Sequence, residues 1–302
     1  MADVANPFDP DQQAAYRHWR AWKLARLAAP EPAPSVVELQ DPRALAPAER
    51  AALLARIARD GVAVYRSPVL PEDPALPKLL GAQLGLRRLD ANWLAEEDGI
   101  SRIAVSSAQD GAGGFIPYTD RAIGWHTDGY YHPQQRRIRG MVLHCVRPAR
   151  AGGENALLDP ELAYIALRDE SPAHVKALMR PDAMTIPARD DAGGVARPAQ
   201  AGPVFSLDED GCLHLRYTAR TRSIEWRDDP QTGAAVQALR RLLERSPWIR
   251  RVRLQAGMGM IGHNVLHDRS AFEDDPARPR LLLRARFRDR VELPAEAAWR
   301  NG

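Results

Sequence analysis

The sequence predicts a mainly β fold with flanking helices. From about residue 100 onward, short apolar strands alternate with turns at irregular spacing, a pattern typical of sandwiches and jelly rolls. Two helical stretches interrupt these strands, near residues 160–179 and 232–245. Of the 302 residues, 45% are hydrophobic and 27% are charged, as in an ordinary globular protein. These observations favour a sandwich or jelly roll over a parallel α/β sheet, and they exclude a disordered chain, a collagen-like repeat and a disulfide-stapled miniprotein.

The individual elements follow from the spacing of apolar residues. Helical spacing predicts helices over residues 11–27 and 47–59, and a proline-rich connector, PEPAP, occupies residues 30–34. The predicted strands are 61–66, 102–106, 139–146, 212–217, 252–254 and 281–287. We therefore expect an N-terminal helical arm with its connector over residues 1–34 and one main domain over residues 35–302. The arm could pack on a second subunit, which would give a homo-oligomer, or fold back on its own domain.

Charge and composition exclude several classes of protein. The net charge is +3, and basic residues are mixed with acidic ones instead of forming a block, so we expect no nucleic-acid binding. No stretch approaches the roughly 18 unbroken apolar residues of a membrane span, and the first seven residues lack the pattern of a secretory signal. Cys145 and Cys212 are too few for a disulfide framework. We expect a cytoplasmic protein that does not bind membranes.

The most informative segment is GWHTDGYYHP, residues 124–133. His126 and Asp128 are two residues apart, so on an extended strand their side chains project from the same face. An imidazole and a carboxylate in this arrangement can bind one metal ion. Three protein ligands on one face leave the other positions open, which suits non-haem Fe(II) oxygen chemistry. The dipeptide alone is equally compatible with two residues that only form hydrogen bonds at a turn.

A third ligand has to come from another part of the chain. The segment GHNVLHDRSAF, residues 262–272, offers His263 and His267. It is followed by RPRLLLRARF, residues 278–287, where Arg280 and Arg284 would share one face of a strand. Arginines that point inward are costly unless they meet an anion, and a guanidinium matches a carboxylate through two parallel hydrogen bonds. The sequence therefore indicates an anion-binding strand next to the proposed metal ligands.

Taken in order, these motifs resemble the taurine dioxygenase and gamma-butyrobetaine hydroxylase branch of the Fe(II)/2-oxoglutarate dioxygenases, over about residues 41–287. The resemblance implies a double-stranded β-helix core, which is a cupin-like jelly roll. It implies that His126 and Asp128 of the WHTD segment, with His267 of the LHDRSAF segment, bind iron. It also implies that Arg280, thirteen residues after His267, binds the distal carboxylate of 2-oxoglutarate.

Shorter matches support the resemblance. The LHC strand at 143–145 and the turn GGEN at 152–155 are similar to family segments, and Asn155 takes the place of a residue that hydrogen-bonds the cosubstrate. The stretch YTARTR, residues 217–222, looks like the family's NNRTR stretch. The chain departs from the family where His263 precedes Asn264 in place of an aspartate, and it lacks the cysteine-rich zinc module of some butyrobetaine hydroxylases. The role of His263 stays open between a neighbour of the site, a packing residue and the third ligand itself.

The resemblance implies an oxidoreductase that uses Fe(II), 2-oxoglutarate and O₂ to hydroxylate an unactivated C–H bond, releasing succinate and CO₂. Halogenating relatives have a small residue where this chain has Asp128, so hydroxylation is favoured, and desaturation or ring formation is also compatible. Arg280 and Asn155 would hold 2-oxoglutarate. Arg284 would reach its C1 carboxylate or a substrate anion, or else form a buried ion pair.

The candidate substrate-binding residues are Tyr118, Tyr130, Tyr131, Arg220 and Arg222. Aromatic faces attract a quaternary cation, and arginines attract a carboxylate or sulfonate; each residue has an ordinary alternative as a packing or surface residue. We expect a small polar anionic or zwitterionic substrate, such as an amino acid, betaine or sulfonate. The alternatives are an oxygenase of a larger natural-product intermediate and a non-catalytic 2-oxoglutarate sensor. A hydrolytic zinc protein would need an HExxH or thiolate site, which the sequence lacks.

Overall fold

The computed structural model describes residues 6–28, 35–69, 72–90, 99–105, 116–191, 194–220 and 224–294. Its helices are α1 (Gln13–Ala28), α2 (Pro47–Asp60), α3 (Leu76–Ala82), α4 (Pro160–Glu170), α5 (Pro172–Leu178) and α6 (Pro230–Arg245). Its strands are β1 (Val36–Glu38), β2 (Val62–Arg66), β3 (Ser101–Ile103), β4 (Ile123–His126), β5 (Gly140–Arg147), β6 (Ala151–Gly152), β7 (Asn155–Leu158), β8 (Met184–Ile186), β9 (Arg189–Asp191), β10 (Gly194–Arg197), β11 (Gln200–Gly202), β12 (Phe205–Leu207), β13 (Leu213–Leu215), β14 (Glu225–Trp226), β15 (Arg250–Val252), β16 (Met258–His263), β17 (Leu266–Arg269), β18 (Phe272–Glu273) and β19 (Leu281–Phe287).

Two sheets form the core of the molecule. The larger has the order β1-β2-β16-β5-β19-β3, and the smaller has the order β15-β7-β17-β4. Their strands pair antiparallel, apart from the parallel pair β1–β2. Buried side chains of both sheets meet in one cluster that includes Leu143, Leu157 and Met260. The predicted mainly β fold with flanking helices is confirmed.

Strand β19 shows how the sequence assigns side chains to the two faces of the larger sheet. Leu282 packs in the cluster between the sheets, whereas Leu283, Ala285 and Phe287 pack with α2 and α3 on the outer face. Because successive side chains alternate between faces, Arg284 and Arg286 lie on the inner face with Leu282.

The N-terminal arm folds back on its own chain, which was one of the two predicted alternatives. Trp19 of α1 is 1% exposed and packs in a hydrophobic cluster with helices α4, α5 and α6. The Lys23 Nζ atom lies 2.7 Å from a carboxylate oxygen of Asp159 and 2.7 Å from one of Glu161. The arm is thus joined to the main domain by apolar packing and by a buried ion pair, and the boundary at residue 34 stays a prediction.

The single helix predicted over residues 160–179 was wrong, because the structure divides it at Ser171. This residue has extended backbone angles, φ −164° and ψ 124°, and its side chain accepts a hydrogen bond from the Ala173 N–H group at the start of α5. Pro172 follows at the first helical position, where its missing N–H costs nothing. Serine before proline is a helix-start signal that the apolar periodicity had hidden.

The strand predicted over 281–287 is observed with the same bounds, and the other predicted strands differ from the observed ones by up to three residues at their ends. The strand predicted over 252–254 lies at Arg250–Val252, where it pairs with β7, and the strand predicted over 212–217 is shortened to Leu213–Leu215. The strand predicted over 102–106 is observed as Ser101–Ile103, and residue 106 is outside the described residues. Of the helices in the described ranges, none combines the length and the apolar character that crossing a bilayer requires.

Candidate metal centre and active site

The structure brings together the three predicted metal ligands, His126, Asp128 and His267. One ligand atom from each lies within 4.8 Å of the other two. His126 ends β4 and is the cross-strand partner of His267 in β17, and their ring centroids are 4.2 Å apart. Asp128 follows two residues later in the turn after β4. The pairing of β4 with β17 therefore joins two segments that are far apart in the sequence.

Backbone carbonyls orient both imidazoles. The Nδ1 atom of His126 lies 3.0 Å from the carbonyl oxygen of Gly124, and Nδ1 of His267 lies 2.9 Å from that of Val265. Since a carbonyl can only accept, each Nδ1 carries the hydrogen, and each Nε2 keeps a lone pair for a metal. Burial and the neighbouring His267 lower the pKa of His126 to about 3, so this imidazole is neutral at pH 7.

Asp128 provides a negative charge and a free oxygen. Burial alone would raise its pKa, but the guanidinium groups of Arg284 and Arg286 outweigh burial and hold it well below the usual range. Its Oδ1 atom accepts a hydrogen bond from Arg284 Nη1 at 3.1 Å, and its buried Oδ2 has no hydrogen-bond partner in the described part of the chain. A buried carboxylate oxygen without a partner is costly, and a cation would satisfy it. Two imidazoles and this carboxylate fit the ligand set of a non-haem Fe(II) centre.

The Asn264 side chain fixes the backbone of Asp128 through hydrogen bonds. Its Oδ1 accepts from the Asp128 N–H at 2.9 Å, and its Nδ2 donates to the carbonyls of Asp128 and Ile138 at 2.8 and 2.9 Å. Gly129 next to Asp128 has a φ of 69°, and a Cβ atom there would lie 2.5 Å from the Ile138 side chain. Asn264 belongs to the GHNVLHDRSAF segment, but its hydrogen bond to Asp128, 136 positions earlier, could not be predicted from the sequence.

His263 is not one of the three grouped residues. It is 8% exposed, its backbone N–H donates to Gly61, and its Nδ1 atom is buried without a hydrogen-bond partner. Burial lowers its pKa well below the usual value, and the charges of Arg290 and Lys23 lower it further. It lines a cavity of about 910 Å³ with Trp19 of the N-terminal arm. Of the two histidines offered by this segment, the structure places His267 beside His126.

Arg280, which directly precedes β19, lies close to the turn that leads to Asn155. Arg280 is 5% exposed, and its guanidinium stacks 4.8 Å from the centre of the Phe272 ring. Its backbone N–H donates to the Asp274 side chain at 2.7 Å, but no carboxylate of the described residues lies within 4.0 Å of the guanidinium. Burial lowers its pKa. A Cβ built on Gly153, in the same turn as Asn155, would lie 3.8 Å from Arg280 Nε. The Nδ2 group of Asn155 donates one of its two hydrogens to the Asp268 carbonyl at 2.8 Å, so the other hydrogen is left to donate to an anion. The Oδ1 atom of Asn155 has no partner among the described residues.

The predicted substrate residues are only partly brought together. Tyr118 is buried, and its hydroxyl group has no hydrogen-bond partner. Tyr130 and Tyr131 are half-buried in the loop that follows Asp128, with ring centroids 5.2 Å apart and nearly perpendicular planes. Arg220 is exposed. The remaining candidate, Arg222, is outside the described residues.

An ionic network beside the metal ligands was not predicted. Arg286 Nη1 donates to the Tyr131 hydroxyl at 2.9 Å, and its Nη2 donates to Asp90 at 2.8 Å. The Asp90 carboxylate also binds His132 and Arg136, each at 3.0 Å. Arg286 could have been predicted as a further inward-facing arginine, because it lies two residues after Arg284 in the same strand. No feature of the local sequence indicates that Asp90 contacts this strand.

The chain is similar to a known family, to curated relatives and to solved structures. Residues 23–286 match the family described as "Taurine catabolism dioxygenase TauD, TfdA family". A uridine-5'-phosphate dioxygenase of Streptomyces sp is 36% identical over 185 residues, which are 59% of this chain and 66% of that protein. A uridine-5'-phosphate dioxygenase of Amycolatopsis sp is 32% identical over 168 residues, 54% of this chain and 60% of that protein. The chain thus spans slightly less than two thirds of these relatives.

A solved structure confirms the predicted fold. The asparagine oxygenase in complex with Fe(II), 2S,3S-3-hydroxyasparagine and succinate superimposes with a TM-score of 0.58 and 19% sequence identity, over 80% of each chain. At this level of identity the similarity establishes the jelly-roll architecture, and the chemistry has to be argued from the site itself.

Proposed function

Because the chain belongs to the taurine catabolism dioxygenase TauD, TfdA family, we propose that it is an Fe(II)- and 2-oxoglutarate-dependent oxygenase that hydroxylates a small molecule. The observation that supports this most directly is the group of His126, Asp128 and His267, with ligand atoms within 4.8 Å of one another. When bound, iron and 2-oxoglutarate supply the oxidising power: one atom of O₂ enters the substrate C–H bond, the other enters succinate, and CO₂ is released.

The protein's contribution is ligation and orientation of the metal. His126 and His267 would bind through Nε2, because their Nδ1 hydrogens are donated to backbone carbonyls. Asp128 would bind through Oδ2, the oxygen that Arg284 leaves free. Asn264 holds the Asp128 backbone from both sides and so fixes the direction of the carboxylate.

Arg280 would bind the distal carboxylate of 2-oxoglutarate. A buried guanidinium without an anionic partner is costly, and a carboxylate offers two parallel charge-assisted hydrogen bonds. The free amide hydrogen of Asn155 would add one further bond to the cosubstrate. Arg284 is engaged by Asp128 at 3.1 Å, so we assign it to the carboxylate ligand first and to the C1 carboxylate of 2-oxoglutarate second.

We infer a small substrate with an anionic group. The two curated relatives described above are named for uridine-5'-phosphate, which makes a nucleoside monophosphate the first compound to test beside amino acids, betaines and sulfonates. Tyr130 and Tyr131 lie in the loop that follows Asp128, which supports a role for both rings in binding the substrate next to the metal. Tyr118, Arg220 and Arg222 stay candidates, because no described residue forms a hydrogen bond with the Tyr118 hydroxyl or the Arg220 guanidinium, and Arg222 lies outside the described residues.

We expect the enzyme to act in the cytoplasm on a free small molecule, without nucleic acid or a membrane as partner. Cys145 and Cys212 are free thiols, as is usual in a reducing compartment. Burial raises the pKa of Cys145 to about 11, which makes its thiol unreactive at neutral pH.

The test is a turnover assay with anaerobically purified protein. Fe(II), ascorbate and 2-oxoglutarate are added in air with each member of a metabolite panel, and succinate and products with one added oxygen atom are measured by mass spectrometry. We expect succinate formation that depends on one substrate class and disappears in His267→Ala. Binding of 2-oxoglutarate without turnover across the panel would contradict the proposal and indicate a sensor.

A further inference from the structure

Three arginines near Tyr130 and Tyr131 have positive charges that no described acidic side chain neutralises. Arg137, Arg197 and Arg216, together called the arginine cluster, have no carboxylate within 4.0 Å among the residues whose side chains the structure describes. Each donates instead to backbone carbonyl oxygens, including those of Leu207, Pro187 and Tyr130, at 3.2, 2.7 and 2.8 Å respectively.

The members of the arginine cluster lie close enough to act on one another. Burial, with the neighbouring charges of Arg197 and Arg137, lowers the pKa of Arg216 to about 10. Burial also lowers the pKa values of Arg137 and Arg197. Asp208 acts on Arg137 from a distance, but it forms its ion pair with Arg139 at 3.4 Å. Like charges that share a partly desolvated region without an anion destabilise it, so this region favours a negatively charged ligand.

Arg197 also has an unused hydrogen-bond donor. Its Nη2 donates to Pro187, but its Nη1 is buried and has no hydrogen-bond partner among the described residues. Its guanidinium lies 5.9 Å from the centre of the Tyr131 ring, at the end of β10, where Arg197 is the cross-strand partner of Arg189. A buried donor without a partner costs free energy that a ligand oxygen would recover. The positive charge of the arginine cluster and the unpartnered Nη1 donor of Arg197 thus indicate the same kind of ligand, an oxyanion.

Two chains of contacts join the arginine cluster to the candidate metal centre. Tyr131, whose ring centre lies 5.9 Å from the Arg197 guanidinium, accepts a hydrogen bond from Arg286 at its hydroxyl, and Arg286 is two residues from Arg284, the partner of Asp128. On the other side, Arg216 is two residues from Thr218, which forms a β-bridge with His126. Two residues of extended chain span about 7 Å. The arginine cluster is therefore linked to the candidate metal ligands through two short stretches of chain.

We propose that the arginine cluster binds a phosphate monoester group of the substrate, while another part of the same molecule lies at the metal. A phosphate monoester has a charge of about −1.5 to −2 and three acceptor oxygens, which suits several guanidiniums better than the single charge of a carboxylate or sulfonate. The inference rests on the proposed oxygenase function and names its substrate class. Arg197 is the member to test, because Arg216 bonds to three backbone carbonyls and supports the local fold.

The first experiment does not depend on turnover. Inorganic phosphate is titrated calorimetrically into the full-length wild type, Arg197→Gln, Arg197→Lys and the control Arg245→Gln, with chloride at matched ionic strength. Arg245 is exposed at the end of α6. We expect phosphate binding by the wild type and the control, about tenfold or weaker binding by Arg197→Gln, and an intermediate result for Arg197→Lys, which keeps the charge but loses the planar fork. Equal binding by the wild type and Arg197→Gln, or none by the wild type at about 10 mM phosphate, would overturn the inference.

The second experiment compares a phosphate ester with its alcohol, uridine-5'-phosphate and uridine, in the succinate assay. We expect Arg197→Gln to raise KM for the ester about tenfold or more while kcat changes little, and to leave the alcohol unaffected. Equal KM values for the ester in wild type and Arg197→Gln would contradict the inference. Absence of turnover with every compound would contradict the proposed function, and the phosphate titration then decides the inference by itself. Thermal unfolding of each variant verifies that it is folded.

Discussion

Replacing Lys23 by methionine should destabilise the protein through the junction between the N-terminal arm and the main domain. The Lys23 side chain is 2% exposed, with carboxylate oxygens of Asp159 and Glu161 at 2.7 Å. Burial alone would lower the pKa of Lys23, but the two carboxylates outweigh it and raise the pKa above the usual range. Methionine has a similar length and no charge, so Lys23→Met keeps most of the packing and leaves two acidic groups side by side without their cation.

The size of the effect follows from how far the remaining charges can reach water. Removing one partner of a fully buried ion pair costs about 3–5 kcal/mol. The Asp159 side chain is 5% exposed, but that of Glu161 is 23% exposed, so Glu161 can regain part of its hydration. Asp159 also keeps its bond from the Glu161 N–H at the start of α4, which preserves a cap of about 1 kcal/mol. We therefore expect a loss of about 3 kcal/mol, at the lower end of the range.

The chain offers a matched control in Lys176→Met. Lys176 of α5 also forms an ion pair with the N-terminal segment, at 2.5 Å from Asp11, but the two side chains are 52% and 78% exposed. Exposed pairs contribute less than about 1 kcal/mol. Urea unfolding followed by circular dichroism measures both variants against the wild type. Equal midpoints for Lys23→Met and Lys176→Met would refute the view that the buried ion pair stabilises the arm.

Three further outcomes test the site and the buried histidines. His267→Ala should abolish substrate-dependent succinate formation and weaken Fe(II) binding measured by calorimetry. The control His18→Ala, at an exposed residue, should do neither. Full activity in His267→Ala would disprove the ligand assignment. Asp90→Asn should raise KM and the ratio of succinate to oxygenated product, because Arg286 then orients Tyr131 less firmly; an unchanged ratio in a folded variant would contradict this. Burial lowers the pKa of His144 to about 4, below the unfolded value of about 6.5, so the unfolded chain binds the extra proton. Stability should fall by about 1 kcal/mol from this residue between about pH 7 and 5.5, and in His144→Asn the urea midpoints at the two pH values should differ by correspondingly less than in the wild type.

Local sequence was sufficient for the features that depend on strand alternation. The two-residue spacing of His126 and Asp128 implied a common side, where the structure groups them with His267. That Arg280 and Arg284 share one face stays a prediction, because Arg280 precedes β19 and the strand register shifts between Leu281 and Leu282. Composition and the spacing of apolar residues were enough for the mainly β fold with helices around it. These properties are decided by neighbours along the chain, so they can be read without knowing which segments meet.

The tertiary structure decided which distant segments meet. His263 and His267 both lie in apolar sequence, and only the register of β17 against β4 places His267 opposite His126. The ion pairs of Lys23 with Asp159 and Glu161 were equally out of reach, and so were the contacts of Asp90. The break at Ser171, by contrast, was marked in the sequence by a serine before a proline. Register and ion pairing depend on the free energy of whole packed layers, in which a shift of one residue would turn every side chain of a strand to the opposite face. A single sequence shows which side chains share a face, and the packed fold determines what that face meets.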